Sequence, residues 1–363
     1  MAKRIVNKYS PTDVSAPGET LREILGERSI SQVDLAGRMG RPQKTISEIV
    51  NGKASITPET ALELELVLGV QADFWIARER EYRTYLARGE QQECLRKDVS
   101  WARKFPIREM VKYGWIAQNE DANSLVRSLL EFFGVASSQQ WEKRYSSYQI
   151  AFRKATAFDA DKYALSAWLR AGTAAAEKSK MNPFNRNAFV TALTKARALI
   201  TRPPEVFQPA LISLFSEAGV AVTFIPELPK SRASGTTMWL SPDRALIQLS
   251  LRYKTDDQLW FTFFHEAAHV LLHNKRSVFL EADERGGKEE KEADRWAADF
   301  LIPPKKYERF VSRACYTKSD IRAFAVQLNL SPGIVVGRLQ HDKMLHYTHC
   351  NDLKRKLVWA FET

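Results

Sequence analysis

Phe261-Thr-Phe-Phe-His-Glu-Ala-Ala-His-Val-Leu-Leu-His273, followed by the acidic stretch Glu290-Lys-Glu-Ala-Asp294, decides how the C-terminal half of this chain is read. On an α-helix each residue turns the chain by about 100°, so residues four apart share a face one turn apart. His265 and His269 can therefore hold one metal ion, while the apolar residues Phe261, Phe263, Phe264, Val270, Leu271 and Leu272 bury the rest of the helix. Glu266 projects near the same face, close enough to the metal's water to serve as a general base without being a ligand. A catalytic zinc takes three protein ligands and keeps a fourth position for water, whose pKa falls to about 7. Glu290 is the first choice for the third ligand, with Glu289 and Glu292 as rivals. Asp294 falls one turn after Glu290, where it could accept the outer N–H of a ligand histidine and fix its tautomer.

These two stretches, the second continuing to Arg-Trp-Ala-Ala-Asp-Phe-Leu-Ile-Pro303, resemble the metallopeptidase domain of the ImmA/IrrE family over roughly residues 206 to 345. Members of that family are similar to thermolysin-type zinc peptidases at the metal site. The resemblance puts His265, His269 and Glu290 on the ligands and Glu266 on the catalytic glutamate, and implies a zincin-like fold. Asp294 stands where the family usually has Asn; both side chains can accept a hydrogen bond from histidine.

At 363 residues the chain is too long for one ordinary core, which argues for two or three domains. Cys94, Cys315 and Cys350 have no paired spacing, which speaks for a reducing compartment and against a disulfide frame or a Cys-based zinc site. Met1-Ala-Lys-Arg-Ile-Val-Asn-Lys-Tyr-Ser10 lacks an apolar core of signal-peptide length, and nowhere do about 18 apolar residues run together. The expectation is a cytoplasmic protein with no membrane partner. The net charge of +11 is uneven: residues 91–205 hold 19 basic and 11 acidic groups. That middle segment either favours a polyanion or is a solvated basic face.

Residues 18–70 fall into short helical pieces with clear punctuation. Glu19 to Arg28 places Leu21, Ile24 and Leu25 at core spacing; Ser31 caps a second helix with Asp34 three places on, and Val33, Leu35, Ala36 and Met39 supply its apolar positions before Gly40 ends it. Pro42 suits the first position of a third helix, in which Ile46, Ile49 and Val50 form the buried stripe and Asn51-Gly52 the stop. Two short helices joined by a tight turn, the second with a polar face, make a helix-turn-helix. Gln43, Lys44, Thr45, Ser47 and Glu48 lie on its sides or outside, where Gln43, Lys44 and Glu48 can read base edges, while Gln32, Asn51 and Lys53 suit phosphate contacts. Glu59, Glu63 and Glu65 on the next helix, Pro58 to Leu68, would repel phosphate, so that helix should face away from DNA. The stretch from Ser31 to Lys53 resembles the lambda-repressor-like (XRE) helix-turn-helix, and its continuation to Trp75 the HigA antitoxin branch of that family, over residues 15 to about 90.

Between them, Trp101, Phe105, Trp115, Phe132, Phe133, Trp141, Phe152 and Trp168 recur in helical patterns as core residues, with one helix over Asp161 to Lys178. Beyond residue 206 the pattern turns mixed: a helix over Phe207 to Ala218, then strands over Val220 to Ile225, Thr236 to Leu240 and Ala245 to Leu249. His273, Arg338 and His341 are minor candidates for polar cleft residues, and His346 and His349 make a poor second metal site.

The expected protein is multidomain and mainly α. Residues 1–90 form a five-helix lambda-repressor-like DNA-binding domain, 91–205 a helical connecting domain, and 206–363 an α+β zincin-like peptidase domain with a small sheet. The two resemblances imply a Zn²⁺-dependent endopeptidase joined to a transcriptional regulator, in a toxin–antitoxin or stress-response setting. Its partners would be a double-stranded operator with an inverted repeat, bound as a homodimer, and a protein substrate or toxin. The alternative is a non-enzymatic HigA-type antitoxin and repressor whose zinc site is structural.

Overall fold

The capping signals between residues 18 and 70 translate into four short helices. In the computed structural model, which describes residues 14–146, 161–273, 279–281, 287–313 and 316–360, these are α1 (Pro17–Glu27), α2 (Gln32–Met39), α3 (Gln43–Val50) and α4 (Pro58–Leu68). The long helix α5 (Ala72–Ala102) follows. Met1–Ser10, Phe152 and Cys315 lie outside the described residues. The chain divides into two units, Met1–Lys97 and Asp98–Thr363.

In the first unit the Ser31 hydroxyl accepts the Asp34 N–H at 3.0 Å, and Gly40 closes α2 at φ 63°, a left-handed conformation that glycine adopts without a Cβ penalty. Thr57 caps α4 in the same way as Ser31 caps α2. Two expectations need correcting. Pro42 sits at the N-cap of α3, with φ −61° and ψ 138°, so the helix opens at Gln43. Val33 is 59% exposed, because the buried stripe of α2 runs through Leu35, Ala36 and Met39 and leaves Val33 outside it. These residues close a core with Leu21, Leu25, Ile46, Ile49, Val50, Leu64 and Trp75. The start of α1 lies directly on the end of α3: a Cβ on Gly18 would stand 2.2 Å from the Ile49 carbonyl oxygen and 2.6 Å from that of Val50. Arg22 donates to the same Val50 carbonyl at 3.0 Å.

In the second unit the middle-segment aromatics form a packed cluster. Trp101, Phe105, Phe133, Trp141 and Tyr163 meet edge-on, tilted or stacked, with Trp101 and Trp141 5.7 Å apart and Trp141 stacked on Tyr163 at 5.3 Å. The helix Lys162–Glu177 lies on a four-stranded sheet. Trp168 Nε1 donates to the Ile225 carbonyl at 3.2 Å, and the buried Gln248 amide donates to the Trp168 carbonyl at 2.7 Å, beside Gly172.

The sheet comprises β1 (Val220–Phe224), β2 (Gly235–Ser241), β3 (Arg244–Leu249) and β4 (Phe279–Glu281) in the order β1-β3-β2-β4. β1 runs parallel to β3, and the β3–β2 and β2–β4 pairs are antiparallel. β3 is buried from Ala245 to Leu249 without alternation, the mark of a strand covered on both faces. Gln248 meets the Lys162–Glu177 helix, whereas Ala245, Ile247 and Leu249 share a core with Trp260, Phe263, Phe264 and Ala267 of the helix Asp256–Leu272.

That last helix carries both motif histidines, and buried acids fix its start. Asp256 accepts the Ser331 hydroxyl at 2.5 Å and the Arg355 N–H at 2.9 Å, while Lys354 Nζ lies 2.7 Å from Asp257. A bridge between Thr255 and Lys356 completes the clamp.

The Gly18 contact generates the first prediction. Because backbone carbonyls rather than a flexible side chain would meet the new methyl, Gly18→Ala should cost about 1–3 kcal/mol in the first unit. Amide exchange in the full chain should then speed up across α1 and α3 with little change in the sheet. Wild-type exchange rates in Gly18→Ala would contradict this.

Candidate metal centre and recognition helix

Four elements build the metal centre. The helix Asp256–Leu272 presents His265, Glu266 and His269, all buried, and the helix Lys288–Leu301 supplies Glu290 and Asp294. β2 crosses beside them, where the Thr237 hydroxyl donates to the Glu266 carbonyl at 2.8 Å. A Cβ on Gly235 would stand 2.9 Å from Glu266 Oε1, so only glycine lets the strand pass this close. The segment after Leu272 places His273 against His269.

The donor atoms converge. His265 Nε2 and His269 Nε2 are 3.0 Å apart, and Glu290 Oε2 lies 3.2 Å from the first and 3.6 Å from the second. A tetrahedral ion with bonds of about 2.0–2.2 Å needs its ligands roughly 3.3–3.6 Å apart, so this triangle fits zinc with little adjustment. Among the described residues, His265, His269 and Glu290 form the group of His, Cys, Asp or Glu side chains close enough to share a metal. Asp294 Oδ1 lies 2.9 Å from His265 Nδ1, on the far side of that ring. Of the rivals, Glu292 reaches His273 and Glu289 is exposed.

Burial holds His269 below the ordinary imidazole value, which keeps it in the neutral form a ligand requires. Burial alone would raise Glu290, but its hydrogen bonds with His265 and His269 outweigh that and hold the carboxyl well below the usual range. Two buried imidazoles and the Glu290 carboxylate thus face one another between the two helices.

Arg338 is bound to Asp342 at 2.7 Å and lies over the Tyr307 ring at 4.6 Å; His341 pairs with Asp342 at 3.0 Å. Both line a cavity of about 390 Å³ that also touches Phe261 and Asp294 but not His265, His269 or Glu290. The roles of Gly235, Asp256 and Asp257 escaped the sequence reading. Only Gly235 left a signal, a glycine at the start of a strand pattern.

In the first unit Gln43 and Lys44 are exposed, and Thr45 and Glu48 partly so, along one side of α3. Lys44 and Glu48 form a loose pair at 3.8 Å. Gln32 opens α2 and Lys53 is exposed past α3. The Asn51 amide is turned back onto the Ser47 carbonyl at 2.8 Å, where it caps α3. Of the acids on α4, Glu63 is gripped by the Arg41 guanidinium, Glu65 accepts the Ala72 N–H, and the exposed Glu59 is hydrogen-bonded with the Thr57 side chain.

Comparison with known proteins agrees with this division. Residues 21–75 match the helix-turn-helix family model, and residues 216–340 match the IrrE N-terminal-like domain of the peptidase M78 family. The chain is 35% identical over 60 residues to the uncharacterized HTH-type transcriptional regulator YddM of Escherichia coli, a match covering 16% of this chain and 64% of that protein. It is also similar to an addiction module antidote protein of the HigA family from Coxiella burnetii, at 32% identity, over 23% of this chain and 92% of that one, with a TM-score of 0.22. A candidate antidote protein of a plasmid maintenance system from Nostoc punctiforme is similar at 28% identity, over 23% and 90% of the two chains, with a TM-score of 0.22. The chain carries an XRE-type helix-turn-helix DNA-binding domain, followed by an IrrE/ImmA-like domain of the peptidase M78 family.

Proposed function

We propose that this protein is a cytoplasmic DNA-binding regulator whose second unit is a zinc-dependent endopeptidase acting on a protein substrate, in a toxin–antitoxin or stress-response locus. The observation that carries the enzymatic half is the triangle of His265 Nε2, His269 Nε2 and Glu290 Oε2 with Glu266 buried beside it. His265, His269 and Glu290 would hold the ion. When bound, zinc supplies a Lewis acid and lowers the pKa of water to about 7. Glu266 accepts the proton of the attacking water and returns it to the leaving amine. Asp294 keeps His265 in the tautomer that leaves Nε2 free for the ion. Among the described residues three protein donors converge rather than four, which leaves a position for water and supports catalysis over a purely structural site.

A second reading, a non-enzymatic HigA-type antitoxin and repressor, draws support from the complete burial of Glu266, since a base must meet its water. For DNA, the exposed face of α3 supports insertion of Gln43, Lys44, Thr45 and Glu48 into the major groove of an inverted-repeat operator bound by a homodimer. Gln32, Asn51 and Lys53 would lie nearer the phosphates.

Three outcomes are expected. Purified protein should hold about one zinc; His265→Ala, His269→Ala or Glu290→Ala should each lose it under mild chelation, and Glu289→Ala should not. Retention of zinc by Glu290→Ala would refute that ligand. Glu266→Gln should keep zinc and operator binding while turnover of the natural substrate, sought by comparing proteomes of cells carrying wild type and variant, falls about 10²–10⁴-fold. Identical proteomes would favour the antitoxin reading. In gel shifts, Gln43→Ala or Lys44→Ala should cost roughly 1–3 kcal/mol at particular base pairs, whereas Lys53→Ala should weaken all sequences alike. Equal losses on specific and random DNA for all three variants would remove α3 from the major groove.

A further inference from the structure

A histidine that binds a metal through Nε2 carries its proton on Nδ1, and the partner of that proton sets the ring's orientation. His265 has Asp294 in this role. For His269 the partner is a third histidine. The helix ends at Leu272, and His273 leaves it in an extended conformation while its N–H still bonds the His269 carbonyl at 3.2 Å. This turn lays the His273 ring beside that of His269, with centroids 4.8 Å apart, and buries its side chain to 4% exposure. His269 Nδ1 then lies 2.8 Å from His273 Nδ1, and His273 Nε2 lies 3.4 Å from Glu292 Oε2.

One arrangement of protons satisfies both contacts with neutral rings. If His269 donates from Nδ1, His273 must accept at Nδ1, so its own proton is on Nε2, pointed at a carboxylate that can only accept. The opposite assignment puts a proton on His269 Nε2, where the ion would have to sit. We propose that His273 is a positioning residue for the metal centre, holding His269 in its ligating tautomer, with Glu292 holding His273 in turn. The acidic helix would then serve the centre three times: Glu290 as ligand, Asp294 behind His265, and Glu292 behind His269 through His273. This inference rests on the zinc reading above.

The test uses the full-length chain and measures zinc affinity by competition with a chromogenic chelator, the visible spectrum of the Co²⁺-substituted protein, and unfolding of the metal-free form. Loss of an orienting partner typically weakens metal binding about 10–100-fold, and this is expected for His273→Ala together with altered Co²⁺ bands. His273→Asn offers a carbonyl oxygen to the same N–H and should recover most of the affinity and the spectrum. Glu292→Ala, at a half-exposed side chain, should weaken zinc by a smaller factor without altering metal-free unfolding. Wild-type affinity and spectrum in His273→Ala would overturn the proposal. So would equal losses in His273→Ala and His273→Asn that track destabilisation of the metal-free protein, since that pattern marks packing alone. Failure of wild type to bind zinc at all would instead remove the zinc reading and this inference with it.

Discussion

The contact between His265, His269 and Glu290 is the constraint on which the second unit depends. Burying two imidazoles and a carboxylate together is costly unless they share a proton or a cation, and their Nε2 and Oε2 atoms are too close to be indifferent to one another. Much of the surrounding structure serves to hold them there. Phe263, Phe264 and Ala267 anchor the histidine helix on the sheet, Asp256 and Asp257 tie its first turn to residues 331 and 354–355, and Gly235 lets β2 approach Glu266.

The parts of this design that were legible in the sequence are those written in short-range spacing. A four-residue separation puts two histidines on one face of any helix, and Ser31 and Gly40 begin and end α2 through bonds within a few residues. The strands around Val222, Met238 and Ile247 were legible from apolar runs bounded by turn residues. What was hidden depends on long separations. Asp256 meets Ser331 and Arg355 across 75 and 99 residues, and the Glu292 partner of His273 lies 19 residues away, so neither leaves a periodic trace. Val33 misled because an apolar residue next to a buried stripe reads the same as one inside it.

In the DNA-binding unit, charge that looks unfavourable is partly absorbed by the fold. Glu63 is engaged by Arg41 and Glu65 by the backbone at Ala72, so α4 carries less free negative charge than its composition suggests. The eight-residue α3 is too short to be stable alone. Its orientation depends on Gly18 and Arg22 of α1, which meet its last carbonyls. The placement of the exposed side of α3 thus depends on the packing of α1 against it.

The proposed zinc site has three protein donors, His265, His269 and Glu290, and an open fourth position. Anomalous diffraction at the zinc edge from crystals of the purified protein tests it most directly. The expected result is one peak about 2.0–2.2 Å from His265 Nε2, His269 Nε2 and Glu290, with water as the remaining neighbour. A peak closed by a fourth protein ligand, or none between these side chains in protein purified with zinc present, would contradict it.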